Sequence, residues 1–161
     1  MGKISLLAEK VNDALRARSF MLATAESCTG GSIAAAITSV AGSSEVFKGG
    51  VVAYSNEVKN ALLGVSVDTL DCWGAVSEQT VKEMVTGVKE KMRCDCAVAT
   101  SGIAGPSGGA PDKPVGTVWV AIAVGNIVET HLLRLVDKGR VENISATTEK
   151  VLELLLDKLK E

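Results

Sequence analysis

Ser27 and Cys28 sit side by side in the stretch AESCTGG (residues 25–31), between a short apolar run and a helix-like one. An ordinary strand-to-helix turn needs one polar residue and one glycine. This one holds a carboxylate (Glu26), a hydroxyl, a thiol, a second hydroxyl (Thr29) and the pair Gly30–Gly31. A serine just before a helix is by default an N-cap, its oxygen accepting from a free backbone N–H. The same place also suits a nucleophile. The positive end of a helix and its unpaired N–H groups stabilise an alkoxide or a tetrahedral oxyanion. Cys28 is the competing nucleophile, because a helix N-terminus lowers a thiol pKa.

A serine is a weak nucleophile until a base takes its proton. His131, the single histidine, and Lys59, in YSNEVK (54–59), are the two candidates. His131 lies in a late strand-like run with no motif around it. A lysine titrates near ~10.4 and is protonated at neutral pH. Burial among apolar neighbours, or a positive helix end, would lower that value. By itself Lys59 reads as a solvated helix lysine, so spacing leaves nucleophile and base as a ranked set.

These groups matter only if the fold gathers them. Residues 4–18 (ISLLAEKVNDALRAR) place Ile4, Leu7, Ala8, Val11, Ala14 and Leu15 on one face of an amphipathic helix. Residues 20–25 are short and apolar, as a buried strand is, and 32–40 form a helix entered through two glycines. Residues 47–54 read as a second strand, with Gly49 and Gly50 marking a bulge or a close backbone approach. A short helix over 55–64 is stopped by Gly64. Ser77 caps a longer helix that runs to about Arg93, with Glu78 and Glu83 early in it. Residues 94–100 are a third strand. Residues 116–124 and 127–136 flank Gly125–Asn126 as a hairpin, and a last helix covers about 140–160.

The order α-β-α-β-α-α-β-β-β-α predicts one α/β domain over residues 1–161. Its architecture is a three-layer α/β/α sandwich with a mixed, mostly parallel five- to six-stranded sheet. Ligands of such sheets bind beyond the carboxyl ends of the parallel strands. Three unusual loops leave strands there, at 26–31, 54–59 and 101–105. If those strands are parallel, the loops meet on one rim. The third continues to residue 117 and holds all three prolines and five of the sixteen glycines. Such a loop suits a backbone that wraps closely around a ligand.

Composition narrows the partners. Lys plus Arg number 17 against 19 for Asp plus Glu, a net charge of −2. That is a poor footprint for duplex DNA or an anionic membrane. Charges interrupt the first ten residues too early for a signal peptide, and no apolar run approaches the ~18 residues of a membrane helix. A cytoplasmic protein without nucleic-acid or membrane partners is expected. Cys28, Cys72, Cys94 and Cys96 show no CxxC spacing, so reduced and inert thiols are expected, with no metal and no cofactor.

Taken together, AESCTGG (25–31), AGSS (41–44), YSNEVK (54–59), GAVSE (74–78), SGIAG (101–105) with Gly108–Gly109, and KPVGTVW (113–119) resemble the CinA C-terminal domain family. The blocks run in order over about residues 20–119. The resemblance implies a three-layer α/β/α fold and a serine amidohydrolase. Stand-alone members of the family are nicotinamide-nucleotide amidohydrolases, which convert nicotinamide mononucleotide to nicotinate mononucleotide and ammonia in pyridine-nucleotide salvage. Their Ser/Lys arrangement falls on Ser27 as nucleophile and Lys59 as general base, with Tyr54 assisting the proton path. The resemblance places Glu26, Cys28, Thr29, Gly30 and Gly31 at the substrate. N–H groups of that loop hold the oxyanion, and Glu26 is an orienting or structural carboxylate. Ser101, Gly102 and Gly105 cover the ribose or phosphate, and Arg140 is the phosphate ligand.

Around Arg140 the family's Gly-Asp-Arg block is altered. Lys138 and Gly139 replace the first two residues, and Ile144 stands where a second basic residue is usual. Small family members self-associate, so a homo-oligomer is expected. Two alternatives remain at this point: a non-catalytic nucleotide- or partner-binding module of the competence/damage-inducible type, and a thiol amidase built on Cys28.

Overall fold

The computed structural model describes residues 2–161. Helix α1 (Lys3–Arg18) leads into β1 (Leu22–Glu26), α2 (Ser32–Thr38), a 3₁₀ turn (Ser43–Glu45) and β2 (Phe47–Val52). Three helices follow: α3 (Asn56–Leu63), α4 (Val67–Trp73) and α5 (Glu78–Met92). Strand β3 (Cys96–Gly102), the hairpin of β4 (Thr117–Val124) and β5 (Ile127–Arg134), and α6 (Arg140–Leu159) complete the chain.

The sheet has five strands in the order β2-β1-β3-β4-β5. Strand β1 pairs in parallel with both β2 and β3, whereas β4 is antiparallel to both of its neighbours. Only β4 is reversed. The sheet is therefore mixed, as expected, and the three strands that precede the unusual loops all point the same way.

The two faces of the sheet are built differently. Alternation along β1 and β3 sends Ala23, Ala25, Ala97 and Ala99 to one side, joined there by Ala121 and Ala123 of β4. This floor of methyl groups lets α5 press Val81, Met84, Val85 and Val88 close against the strands. The opposite face carries Leu22, Val98, Val120 and Ile122, which pack against α1, α2 and α6 through Val11, Leu15, Ile33, Leu152 and Leu155. The core is thus aliphatic, consistent with an aromatic content of 3%.

Local signals place most boundaries. Ser55, Ser66 and Ser77 each accept a hydrogen bond from the backbone N–H three residues on and so start α3, α4 and α5. Gly64 ends α3 in the left-handed region. The glycine pair in β2 sits at a register shift. Leu22 pairs with Phe47 but Ala23 pairs with Gly49, so Lys48 is an extra residue. A Cβ at Gly50 would collide with Thr24 Oγ1 of the neighbouring strand.

Helix α4 is absent from the sequence expectation. It buries none of its residues, so it leaves no apolar stripe to read. Strands β1 and β3 each begin two residues later than expected, because pairing to a partner sets a strand's ends more than its composition does.

Candidate active site

Because β1, β2 and β3 are parallel, the segments after them share one rim. A cleft of about 310 Å³ opens there, at the small end of the ~300–1,000 Å³ typical of small-molecule sites. Ser27, Cys28, Tyr54, Lys59, Ser101 and Arg140 all line it. Residues that the chain separates by up to 113 positions (27 to 140) therefore face one volume.

Ser27 continues β1 by one further rung, its N–H donating to Thr100 O at 3.0 Å. Lys59 comes from the first turn of α3, whose start is pinned by Ser55. Its aliphatic stem runs inward, so that only 1% of the residue reaches solvent. Its Nζ lies 3.1 Å from Ser27 Oγ. Among the described residues no carboxylate lies within 4 Å of this nitrogen. Burial lowers the Lys59 pKa from the ordinary lysine value, opposed only by the charge that a Cys28 thiolate would carry. That thiolate does not form at neutral pH, because burial pushes the Cys28 thiol up to about 12. Burial thus shifts Lys59 toward the neutral amine beside a serine hydroxyl.

The loop between Ser27 and α2 departs from its expected use. Glu26 does not face the cleft. It is 1% exposed, and its Oε1 accepts from the N–H of Ile33 (2.9 Å) and from Thr29 Oγ1 (2.7 Å), while Oε2 accepts from the N–H of Ala34 (3.0 Å). The alternation of β1 turns Glu26 to the α2 side, where a carboxylate satisfies the free donors at a helix N-terminus. Ser27 is consequently not the cap of α2; Gly31 holds that position with φ of 100°. Thr29, Gly30 and Gly31 stand away from the cleft lining. The Gly30 N–H donates to Ser27 O at 3.0 Å and so is taken. The N–H of Cys28, which is on the lining, has no protein acceptor among the described residues, which leaves it as the candidate oxyanion donor.

The opposite wall is tied together by Arg140, the first residue of α6. Its Nη1 donates to Gly105 O at 2.8 Å and its Nη2 to Tyr54 Oη at 2.6 Å. Tyr54 is thereby joined to Arg140 at the mouth of the cleft, with 58% of its surface exposed. Gly102 and Gly105 both line the cleft. Gly105 adopts φ of 81°, and a Cβ there would stand 2.5 Å from Val115 Cγ1. The loop can pass that close only with glycine.

Asn143 escaped the sequence reading. It is buried, with Nδ2 donating to Ala104 O (2.9 Å) and Asp137 Oδ1 (3.0 Å), and Oδ1 accepting from the Lys138 N–H (3.1 Å). It locks the turn before Arg140 to the loop after β3. The only hint in the sequence was an asparagine in the first turn of a helix. Asn56 and Ser107, also on the lining, carried no distinguishing signal.

The other reactive side chains lie elsewhere. His131 is on β5, two strands beyond β3, with its Nε2 3.6 Å from Glu129 Oε2. All four cysteines are free; Cys94 and Cys96 are buried and Cys72 is exposed. No three His, Cys, Asp or Glu side chains cluster as a metal site among the described residues. No helix among them is long and apolar enough to cross a membrane.

Residues 4–159 match the CinA C-terminal domain model.

The chain belongs to the CinA C-terminal domain family.

Among relatives of this CinA chain, the nicotinamide-nucleotide amidohydrolase PncC of Escherichia coli K12 is 55% identical over 122 residues. That alignment covers 76% of this chain and 74% of the relative. A CinA-like protein of Amoebophilus asiaticus is 43% identical over 151 residues, 94% of this chain. The chain spans 36% of that protein, and 24% to 31% of three other relatives. Among solved structures, the competence/damage inducible protein CihA from Agrobacterium tumefaciens superposes with a TM-score of 0.96 at 44% identity, covering 100% of this chain and 98% of that one. The competence damage-inducible protein A (ComA) from Klebsiella pneumoniae superposes with a TM-score of 0.95 at 37% identity, covering 99% of both. The CinA fold and its α/β architecture are thereby shown.

Proposed function

We propose that this CinA-family chain is a nicotinamide-nucleotide amidohydrolase that acts through Ser27 and Lys59. The observation that carries the reading is the buried lysine amine, unpaired with any carboxylate among the described residues, 3.1 Å from a serine hydroxyl at the carboxyl rim of the sheet. The PncC relatives supply the substrate class: a nucleotide carrying a carboxamide.

Neutral Lys59 takes the Ser27 proton as Oγ attacks the carboxamide carbon. The negative oxygen that results meets the N–H group of Cys28. The Lys59 ammonium then returns its proton to the amide nitrogen, the C–N bond breaks and ammonia leaves. Water attacks the acyl ester, giving its proton to Lys59, and collapse of that intermediate restores the Ser27 hydroxyl and releases nicotinate mononucleotide. Arg140, at the cleft mouth, turns from Tyr54 and Gly105 to the phosphate, and Tyr54 is freed to help order the substrate. No metal and no cofactor takes part.

The same reading makes residues 1–161 one catalytic unit, active in the cytoplasm in pyridine-nucleotide salvage, with a small-molecule nucleotide rather than nucleic acid or membrane as its partner. It also has the chain self-associating. The unpaired edge of β5 and the exposed Ile127, Val136 and Val141 support that part.

The test is ammonia release from nicotinamide mononucleotide in metal-free buffer. Wild type should be active, and Ser27→Ala and Lys59→Ala should fall by orders of magnitude while staying folded. A silent wild type would overturn the reading.

A further inference from the structure

Ser101 places a second hydroxyl on the floor of the cleft, and no other group among the described residues engages it. The residue is 1% exposed and lines the cleft, yet its Oγ has no hydrogen-bond partner among the described residues. Most other buried hydroxyls are engaged, among them those of Thr80, Thr117 and Thr147, which each donate to a backbone carbonyl; Thr24, away from the cleft, is the other one without a partner among the described residues. A hydroxyl left unpaired in a nearly buried place needs an explanation. Ser101 Oγ is not among the fully sealed orphan atoms, where only Asn12 Oδ1 stands. It therefore opens onto the cleft.

The ladder fixes its neighbour. In a parallel pair an N–H bonds the carbonyl of the residue before its opposite number. The Ser27 N–H donates to Thr100 O, so Ser101 stands opposite Ser27, across a strand spacing of roughly 4.8 Å. Alternation then puts both serines on one face. Ala23 and Ala25 precede Ser27 on the α5 side, and Ala97 and Ala99 precede Ser101 there. Lys59 enters from α3 on this same side.

We propose that Ser101 Oγ accepts a hydrogen bond from the carboxamide nitrogen of the substrate and holds the leaving group beside Lys59 Nζ. This rests on the amidohydrolase reading. A carboxamide carbon seated on Ser27 Oγ presents its oxygen to the N–H group of Cys28. Its nitrogen must then point to the other polar atoms of the floor, Ser101 Oγ and Lys59 Nζ. An amide nitrogen leaves only once it is protonated, so its place beside the proton donor governs C–N cleavage. Ser101 accordingly acts at the reacting end of the substrate, not at the ribose or phosphate. An ester has no N–H to offer this oxygen, and its leaving oxygen needs less protonation. Ser101 thus sets a preference for amides over esters.

The test compares nicotinamide mononucleotide with the methyl ester of nicotinate mononucleotide as substrates of wild type, Ser101→Ala and Ser101→Thr, each checked by thermal melting. Losing one hydrogen bond to a group that becomes charged should lower kcat on the amide by roughly ten- to a hundredfold in Ser101→Ala. Ester turnover should stay within about threefold and KM should hardly move, since that bond strengthens mainly at the transition state. Ser101→Thr, which keeps the hydroxyl, should recover most of the amide activity. If Ser101→Ala fails to fold, Ser101→Cys, with similar volume and a weak acceptor, carries the comparison. Equal losses on both substrates, or an unchanged amide rate in an active enzyme, would overturn the role of Ser101 alone. A wild type inactive on both substrates would overturn the amidohydrolase reading and this inference together.

Discussion

Lys59 Nζ stands 3.1 Å from Ser27 Oγ, inside the protein and beyond reach of any carboxylate among the described residues. A lysine in such a place destabilises the fold, because its charged form loses water and gains no counter-charge. Lys59→Met should therefore raise Tm, by about 2–4 °C for each kcal/mol recovered, while amidase activity falls on the order of a thousandfold or more. The sign also predicts a pH trend. The folded-state pKa lies below the unfolded value of 10.5, so the penalty operates below 10.5 and disappears above it. The Tm advantage of Lys59→Met over wild type should shrink as pH rises toward that value, as calorimetry at several pH values would show.

The same lowered pKa sets the activity profile. In the proposed mechanism the neutral amine is the base, so kcat/KM should rise with pH as Lys59 loses its proton, at a pH below 10.5. Lys59→Arg, which stays charged, should be inactive across the range. A flat profile in wild type would exclude Lys59 as the base.

Cys28 should prove dispensable. Its thiol is pushed up to about 12 by burial, so almost no thiolate exists at neutral pH. Iodoacetamide should label the exposed Cys72 and leave Cys28 untouched in the folded protein, with ammonia release unchanged. Cys28→Ala should retain activity within about tenfold, since a thiol that stays protonated cannot serve as the nucleophile.

Glu26 should act on stability and not on substrate affinity. Glu26→Gln keeps one acceptor but turns the other into a donor facing the Ala34 N–H. The mismatch at the start of α2 should cost about 1–3 kcal/mol, read as a lower Tm. KM should stay near the wild-type value; a large rise in KM without loss of Tm would return Glu26 to the binding site.

Arg140→Gln removes a cation from the cleft mouth and the bonds to Tyr54 and Gly105. A charged hydrogen bond to phosphate is worth about 1.5–3 kcal/mol, so KM for the mononucleotide should rise roughly ten- to a hundredfold with kcat less affected. Nicotinamide riboside, which lacks the phosphate, should discriminate poorly between wild type and variant.

Much of this molecule was legible in its residues because the deciding interactions are short-ranged. The helix faces of Leu7, Val11 and Leu15, the cap at Ser77, and the Gly64 stop depend on neighbours within a few positions. So does the turn at Gly125–Asn126. Helix α4 was invisible for the converse reason: nothing on it is buried, so no periodic stripe had to be written.

The site divides along the same line. By itself the sequence determined which reactive side chains exist, and that Ser27, Tyr54, Lys59 and Ser101 follow strands. These are matters of local pattern. Only the tertiary structure decided their environments. Parallel pairing of β1 with β2 and β3 carried Lys59 across 32 residues to the Ser27 hydroxyl and set Ser101 opposite Ser27. Alternation within β1 turned Glu26 to the α2 N-terminus, away from the cleft. Packing closed over Lys59 and Cys28 and moved their proton affinities in opposite directions. A residue's type is local, but its solvation is decided by everything that packs around it, and that is what lowers the proton affinity of an ordinary lysine.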